Sequence, residues 1–238
     1  MKTIKHNDRW EDLYTSKRRL IACATVIEEI LPILPEDVPF ETLDFGLHIN
    51  PPELKQVLQQ KIDQHSSDAD VLLLGYGLCS MAIVGLTATD ATLVIPRTDD
   101  CIAIFLGSSA SYKQQAKKEP GTYYLTKGWI EVGDTPFEEH HLLVEKFGLE
   151  KAERLTGLLL RNYTRLAYID TGQYEAERYR DYARTTAEQF SLRYEELDGS
   201  PALVRKLIFG PWDDEFMVIP PGKTITYQDY LQQNSDPV

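Results

Sequence analysis

The chain has 238 residues, 42% of them hydrophobic and 26% charged, which suits a globular core and excludes fibrous or low-complexity architecture. With 37 acidic residues against 25 basic ones, the formal charge of −12 repels polyphosphate backbones and anionic leaflets, so nucleic acid and membrane are excluded as expected partners. No apolar run approaches the roughly 20 residues of a spanning helix. The opening Met1-Lys2-Thr3-Ile4-Lys5 meets charge instead of an apolar signal core, and a cytoplasmic location is expected.

A polar arm over 1–18 precedes an alternation of strand 19–25, helix 26–33, strand 39–48, helix 51–65, strand 70–76 and strand 91–96. That order predicts an α/β protein with a Rossmann-like parallel sheet. Asn50-Pro51-Pro52-Glu53 reads as a helix start, with Leu54, Val57, Leu58 and Ile62 recurring at helical spacing. Val71-Leu72-Leu73-Leu74 lacks polar alternation, as expected of a strand covered on both faces. A helix is predicted over 101–118, a short strand at Tyr123-Tyr124-Leu125, and helix over 137–162 broken at Gly148. A second, smaller α/β lobe is expected over 136–238, after a first lobe spanning 19–135. It would hold strands at 165–170 and 192–197, a charged helix over 174–191, and a last strand at Phe216-Met217-Val218-Ile219.

Cys23, Cys79 and Cys101 each follow an apolar β-like run, Cys23 directly after Arg19-Leu20-Ile21-Ala22. Parallel strands deliver their carboxyl ends to one edge, where ligands bind, so three distant thiolates are expected to converge on a metal. An odd cysteine count argues against a complete disulfide framework and suits a reduced, metal-binding or reactive role. The spacing is not that of a local zinc ribbon or simple ferredoxin, so the fold itself would have to assemble the site. Two arrangements are open. One is an iron-sulfur cluster (4Fe-4S) held by Cys23, Cys79 and Cys101 with one iron left for substrate; the other is zinc held by the same thiolates and His48. The competing reading is three separate core cysteines, because free cysteine is commonly a buried small hydrophobe.

Arg97-Thr98-Asp99-Asp100 adjoins the third cysteine. Arg97 offers a planar fork for a substrate carboxylate, and Asp99 is the candidate for proton transfer. At least one of the two aspartates is expected to cap the following helix instead. Within Pro120–Trp129, Thr126 and Lys127 are candidates for holding an anionic group of the substrate, against the plain alternative of a packed loop. No dinucleotide fingerprint, phosphate loop or nucleophile elbow occurs: Gly75-Tyr76-Gly77-Leu78-Cys79 lacks the third glycine, and Ser80 has no flanking Gly-x-Ser-x-Gly.

At these residues the chain resembles the domain of unknown function family 1638 of bacteria and archaea. The resemblance rests on Ile21-Ala22-Cys23, Leu47-His48-Ile49-Asn50-Pro51, Gly75-Tyr76-Gly77-Leu78-Cys79, the Cys101 segment, Pro120–Thr126, and Gly210-Pro211-Trp212 through Pro220-Pro221-Gly222. It spans roughly 19–222. The family pattern has an aspartate before the second cysteine and a histidine before the third, where this chain has Leu78 and Asp100. Neither of those acid-base roles transfers. The resemblance implies that the three cysteines recur, and a setting near corrinoid-dependent methyl transfer.

The combined expectation is a metalloprotein with a three-cysteine site. It would be an open-coordinate iron-sulfur enzyme acting on a small-molecule substrate in one-carbon or sulfur metabolism. The alternatives are a zinc-thiolate protein for thiol methyl transfer, or a non-catalytic metal-delivery or redox-sensing protein partnering a methyl-transfer system.

Overall fold

The computed structural model describes residues 11–132 and 135–232. In chain order, α1 (Glu11–Tyr14) leads into β1 (Arg18–Cys23), α2 (Ala24–Ile30), β2 (Phe40–Leu43), α3 (Pro51–His65), β3 (Val71–Gly75) and β4 (Thr92–Pro96). Two helices follow, α4 (Cys101–Phe105) and α5 (Ser109–Lys118). Next come β5 (Thr122–Leu125), α6 (Lys127–Val132), α7 (Pro136–Phe147), α8 (Leu149–Leu160), β6 (Arg165–Asp170), α9 (Glu177–Gln189) and β7 (Arg193–Asp198). The last elements are α10 (Ala202–Phe209), β8 (Phe216–Ile219) and α11 (Tyr227–Leu231).

The expected α/β class is what the chain adopts. Five strands form one sheet in the order β2-β1-β3-β4-β8, and three form a second in the order β5-β6-β7. All pairings are parallel except β4 with β8, which is antiparallel. The chain leaves β1 on one side for β2 and returns on the other for β3. A topological switch therefore lies between the carboxyl ends of β1 and β3, the place where open α/β sheets receive ligands.

Every residue of β3 and β4 is buried, as their unbroken apolar runs require of strands covered on both faces. Leu54, Leu58 and Ile62 of α3 recur every fourth residue and are fully buried, so that helix lies along the sheet on one stripe. The second sheet shows the period-2 division of a strand. Tyr124, Ala167, Ile169 and Leu197 join the core of the first sheet, while Leu125, Leu166 and Tyr168 pack with Phe137, Tyr179 and Ala183 on the other side.

The sheets divide the chain differently from the break expected at 136. β5, ahead of that break, belongs to the second sheet, and β8, with Phe216, Met217 and Ile219 buried, returns to close the first. The helix expected over 101–118 is two helices, interrupted at Gly107, whose φ of +79° is left-handed backbone that favours glycine. The strand expected over 39–48 stops at Leu43, and Phe45–Ile49 forms a 3₁₀ turn that carries His48. Among the described residues no helix is long and apolar enough to cross a membrane.

Candidate functional site

The carboxyl edge of the five-stranded sheet gathers the segments singled out in the sequence. Cys23 ends β1, Cys79 lies in the loop after β3, and Cys101 opens α4 after β4. All three are free and buried. Burial pushes the Cys23 and Cys101 thiols up and holds Cys79 at about 12. A thiol in apolar surroundings stays protonated and is a poor nucleophile. The Tyr76 hydroxyl is pushed up by burial and then by all three cysteines, so the four groups share one electrostatic neighbourhood.

That neighbourhood is not the metal centre expected from the sequence. Among the described residues no group of three or more His, Cys, Asp or Glu side chains is placed to hold a metal ion. Cys23 Sγ instead lies 3.3 Å from the Thr25 hydroxyl. Strand ends bring backbone segments to one edge, whereas ligation demands sulfurs within about 2.3 Å of a common ion, and the first does not entail the second. The three-cysteine iron-sulfur or zinc site, His48 as its fourth ligand, and the activity built on them are therefore corrected.

Backbone strain concentrates in the same place. Cys79, Ser80 and Met81 are consecutive non-glycine residues in left-handed conformation, with φ of 44°, 55° and 72°. Such conformations persist only where the surroundings over-determine them, and they cluster at ligand sites. Two bonds to the β4 segment hold this loop, Leu78 N–H to the Thr98 carbonyl at 2.8 Å and Cys79 N–H to the Asp99 carbonyl at 3.1 Å. Gly77 permits the approach, since a Cβ there would stand 2.6 Å from Thr98 Oγ1.

Four polar atoms on this edge are buried without a hydrogen-bond partner in the protein: Tyr76 Oη, Thr98 Oγ1, His48 Nε2 and Trp129 Nε1. Tyr76, His48 and Trp129 belong to one run of rings completed by Phe45. Trp129 and Phe45 have ring centroids 5.9 Å apart, Phe45 and His48 stack at 5.1 Å, and His48 and Tyr76 stack at 6.1 Å. Burial lowers the affinity of His48 for a proton, so its ring is held neutral. Sequence reading passed over Tyr76, Thr98 and Trp129. The signal for Tyr76 was a phenol between two glycines at the end of an apolar strand.

Arg97 is engaged by backbone. Its guanidinium donates to the carbonyls of Asp214, Phe216, Asp229 and Tyr230, fastening the α11 segment over the end of β4. A fork spent on carbonyls does not fit the substrate-carboxylate role expected of it. Asp99 accepts from the Tyr230 hydroxyl at 2.7 Å, part of the same fastening. Asp100 takes the capping role expected of one aspartate, accepting from Ile102 N–H at 2.9 Å, and also from the Tyr112 hydroxyl at 3.1 Å. Burial pushes the Asp100 carboxyl up.

Thr126 and Lys127 mark the join between the two sheets. Thr126 is fully buried and accepts from Trp129 N–H at the start of α6. Lys127 Nζ lies 2.7 Å from Glu28 of α2, and its backbone N–H donates to the Tyr174 hydroxyl. Next to Glu28, the buried Glu29 accepts from Thr171 at 2.5 Å and Gln173 at 3.2 Å. Lys127 also borders an open cleft of about 430 Å³ whose walls include Tyr174, Arg178 and Glu131. The Arg178 and Glu131 side chains there are paired with each other.

A family model described as a protein of unknown function, DUF1638, matches residues 42–208. The match starts in β2 and ends in α10, narrower than the expected 19–222, and leaves Cys23 outside it. No curated protein and no solved structure matches the chain. Because the matched segment is more than half of its residues, the chain belongs to the DUF1638 family.

Proposed function

We propose that the chain binds a small uncharged polar molecule at the carboxyl edge of the five-stranded sheet, at the switch between β1 and β3. The observation that carries this reading is the pair Tyr76 Oη and Thr98 Oγ1. Both belong to residues only 1% exposed, and neither has a partner. A buried hydroxyl left unsatisfied costs roughly 1–3 kcal/mol, an expense that a bound molecule would offset. The charge state of the surroundings favours an uncharged ligand. The thiols stay protonated and the His48 ring neutral, so an anion would lose its hydration with no counter-charge in return. The strained Cys79–Met81 loop and the switch position support the same place.

Thermal unfolding of the full chain, titrated with uncharged polyols, amides and heterocycles and with carboxylate counterparts, tests the reading. At least one uncharged compound is expected to raise the unfolding temperature of the wild type and leave Tyr76→Phe and Thr98→Val unmoved. A response confined to carboxylates, an equal response in Tyr76→Phe, or no response to any uncharged compound overturns it.

A further inference from the structure

The unpartnered atoms differ in what they can exchange, and that difference narrows the ligand. His48 Nδ1 lies 3.0 Å from the Phe45 carbonyl oxygen. A carbonyl only accepts, so Nδ1 carries the hydrogen and, in a neutral ring, Nε2 carries a lone pair. Trp129 Nε1 is the opposite, a donor with no accepting capacity. Tyr76 and Thr98 hydroxyls do either. Tyr76, His48 and Trp129 belong to one row of rings completed by Phe45, with Phe45 and His48 inclined by 26° and His48 and Tyr76 by 18°. A molecule matching this set offers an N–H to His48, a carbonyl oxygen to Trp129, and a flat apolar body suited to aromatic surroundings.

Resting on the binding edge proposed above, we infer that the ligand is an uncharged planar heterocycle or aromatic amide with an N–H beside a carbonyl. A polyol is flat nowhere and makes no use of the ring row. An aromatic carboxylate has the flat face but brings a charge and no N–H for His48.

Uracil, hypoxanthine and nicotinamide are the probes, with orotate, nicotinate and inositol as comparisons. Isothermal titration on the full chain is expected to show binding by at least one of the first three, at least tenfold tighter than by any comparison compound. His48→Phe keeps the ring and removes the acceptor, and Trp129→Phe removes the donor. Each is expected to weaken the binding at least tenfold. Far-ultraviolet circular dichroism and the unfolding temperature report whether each variant is folded, and a variant that fails is replaced by His48→Leu or Trp129→Leu, which also lack the acceptor and the donor. If inositol binds in a Tyr76-dependent way and none of the three planar compounds does, this inference falls while the binding edge stands. If no uncharged compound of any kind binds, both fall. Planar binding that both variants leave unchanged also overturns the inference.

Discussion

Thr171 Oγ1 donates to Glu29 Oε2 at 2.5 Å, tying the carboxyl end of β6 to α2 and so the second sheet to the first. Burial pushes the Glu29 carboxyl above its ordinary 4.5, against the lowering effects of Thr171, Gln173, Tyr174 and Lys127. An acid raised in the folded state contributes stability that is fully present below its unfolded value and is lost as pH rises through the folded value. Urea midpoints are therefore expected to fall as pH climbs from about 4.5 through the raised value of Glu29. Glu29→Gln, which cannot ionise, should flatten that part of the profile. An unchanged slope in the variant would show that Glu29 ionises freely in the folded protein.

Gly128 lies where α6 crosses α2, and a Cβ on it would stand 2.5 Å from the Thr25 carbonyl oxygen and 2.9 Å from Thr25 Cα. Backbone on both sides leaves no flexible side chain to yield. Gly128→Ala should cost about 1–3 kcal/mol in urea unfolding and speed alkylation of Cys23, whose thiol is next to Thr25. Gly157, in the interior of α8 with nothing near its Cβ position, is the control. Gly157→Ala should stabilise by roughly 0.5–1 kcal/mol, because alanine gives up less backbone freedom on folding.

Much of the fold was legible because its signals were local. Proline at the first helical positions and Leu54, Leu58 and Ile62 at fixed spacing marked α3, and the unbroken run at 71–74 marked β3 as a covered central strand. The partner of a strand is not a local property. Nothing within Phe216–Ile219 says that it pairs antiparallel with β4 and not with the nearby second sheet. The site divides in the same way. That Cys23, Cys79 and Cys101 reach one edge follows from strand order, but whether their sulfurs meet depends on side-chain direction, which no spacing records. Arg97 looked like a ligand for the reason it serves as a fastener: its fork suits any convergent set of oxygens, including the carbonyls of its own chain.

The buried thiols are expected to be chemically quiet. With Cys79 held at about 12 by burial, its thiolate fraction near neutrality is roughly a thousandfold below that of a free cysteine. An aromatic disulfide reagent at neutral pH should therefore release three equivalents of thiol in denaturant and a small fraction of one in native buffer over the same minutes. Rapid stoichiometric release from the native protein would place at least one thiol in a polar, accessible setting and contradict its burial.

Arg165 is fully buried at the start of β6. It donates from Nε to Thr122 at 2.8 Å, from Nη1 to Glu195 at 2.9 Å and from Nη2 to Gln115 at 3.3 Å. One side chain thus binds β5, β7 and α5 to the central strand of the second sheet. The hydrogen bonds from Arg165 and then Arg193 hold Glu195 at about 2, below its ordinary 4.5. A carboxylate depressed in the folded state contributes stability above its unfolded value that is lost as pH falls toward the folded value. Acid titration should therefore show stability declining between about pH 4.5 and 2. Glu195→Gln should be less stable than wild type at pH 7 by about 1–2 kcal/mol, solvent screening at the partly exposed carboxylate being allowed for, and should lose that acid-dependent decline. Arg165→Met tests the other partner. It leaves the partly exposed Glu195 with water, Arg193 and Lys118, so at pH 7 its deficit should come mainly from the lost bonds to Thr122 and Gln115. Equal stability of Glu195→Gln and wild type across that range would show that the pair contributes nothing beyond its own desolvation.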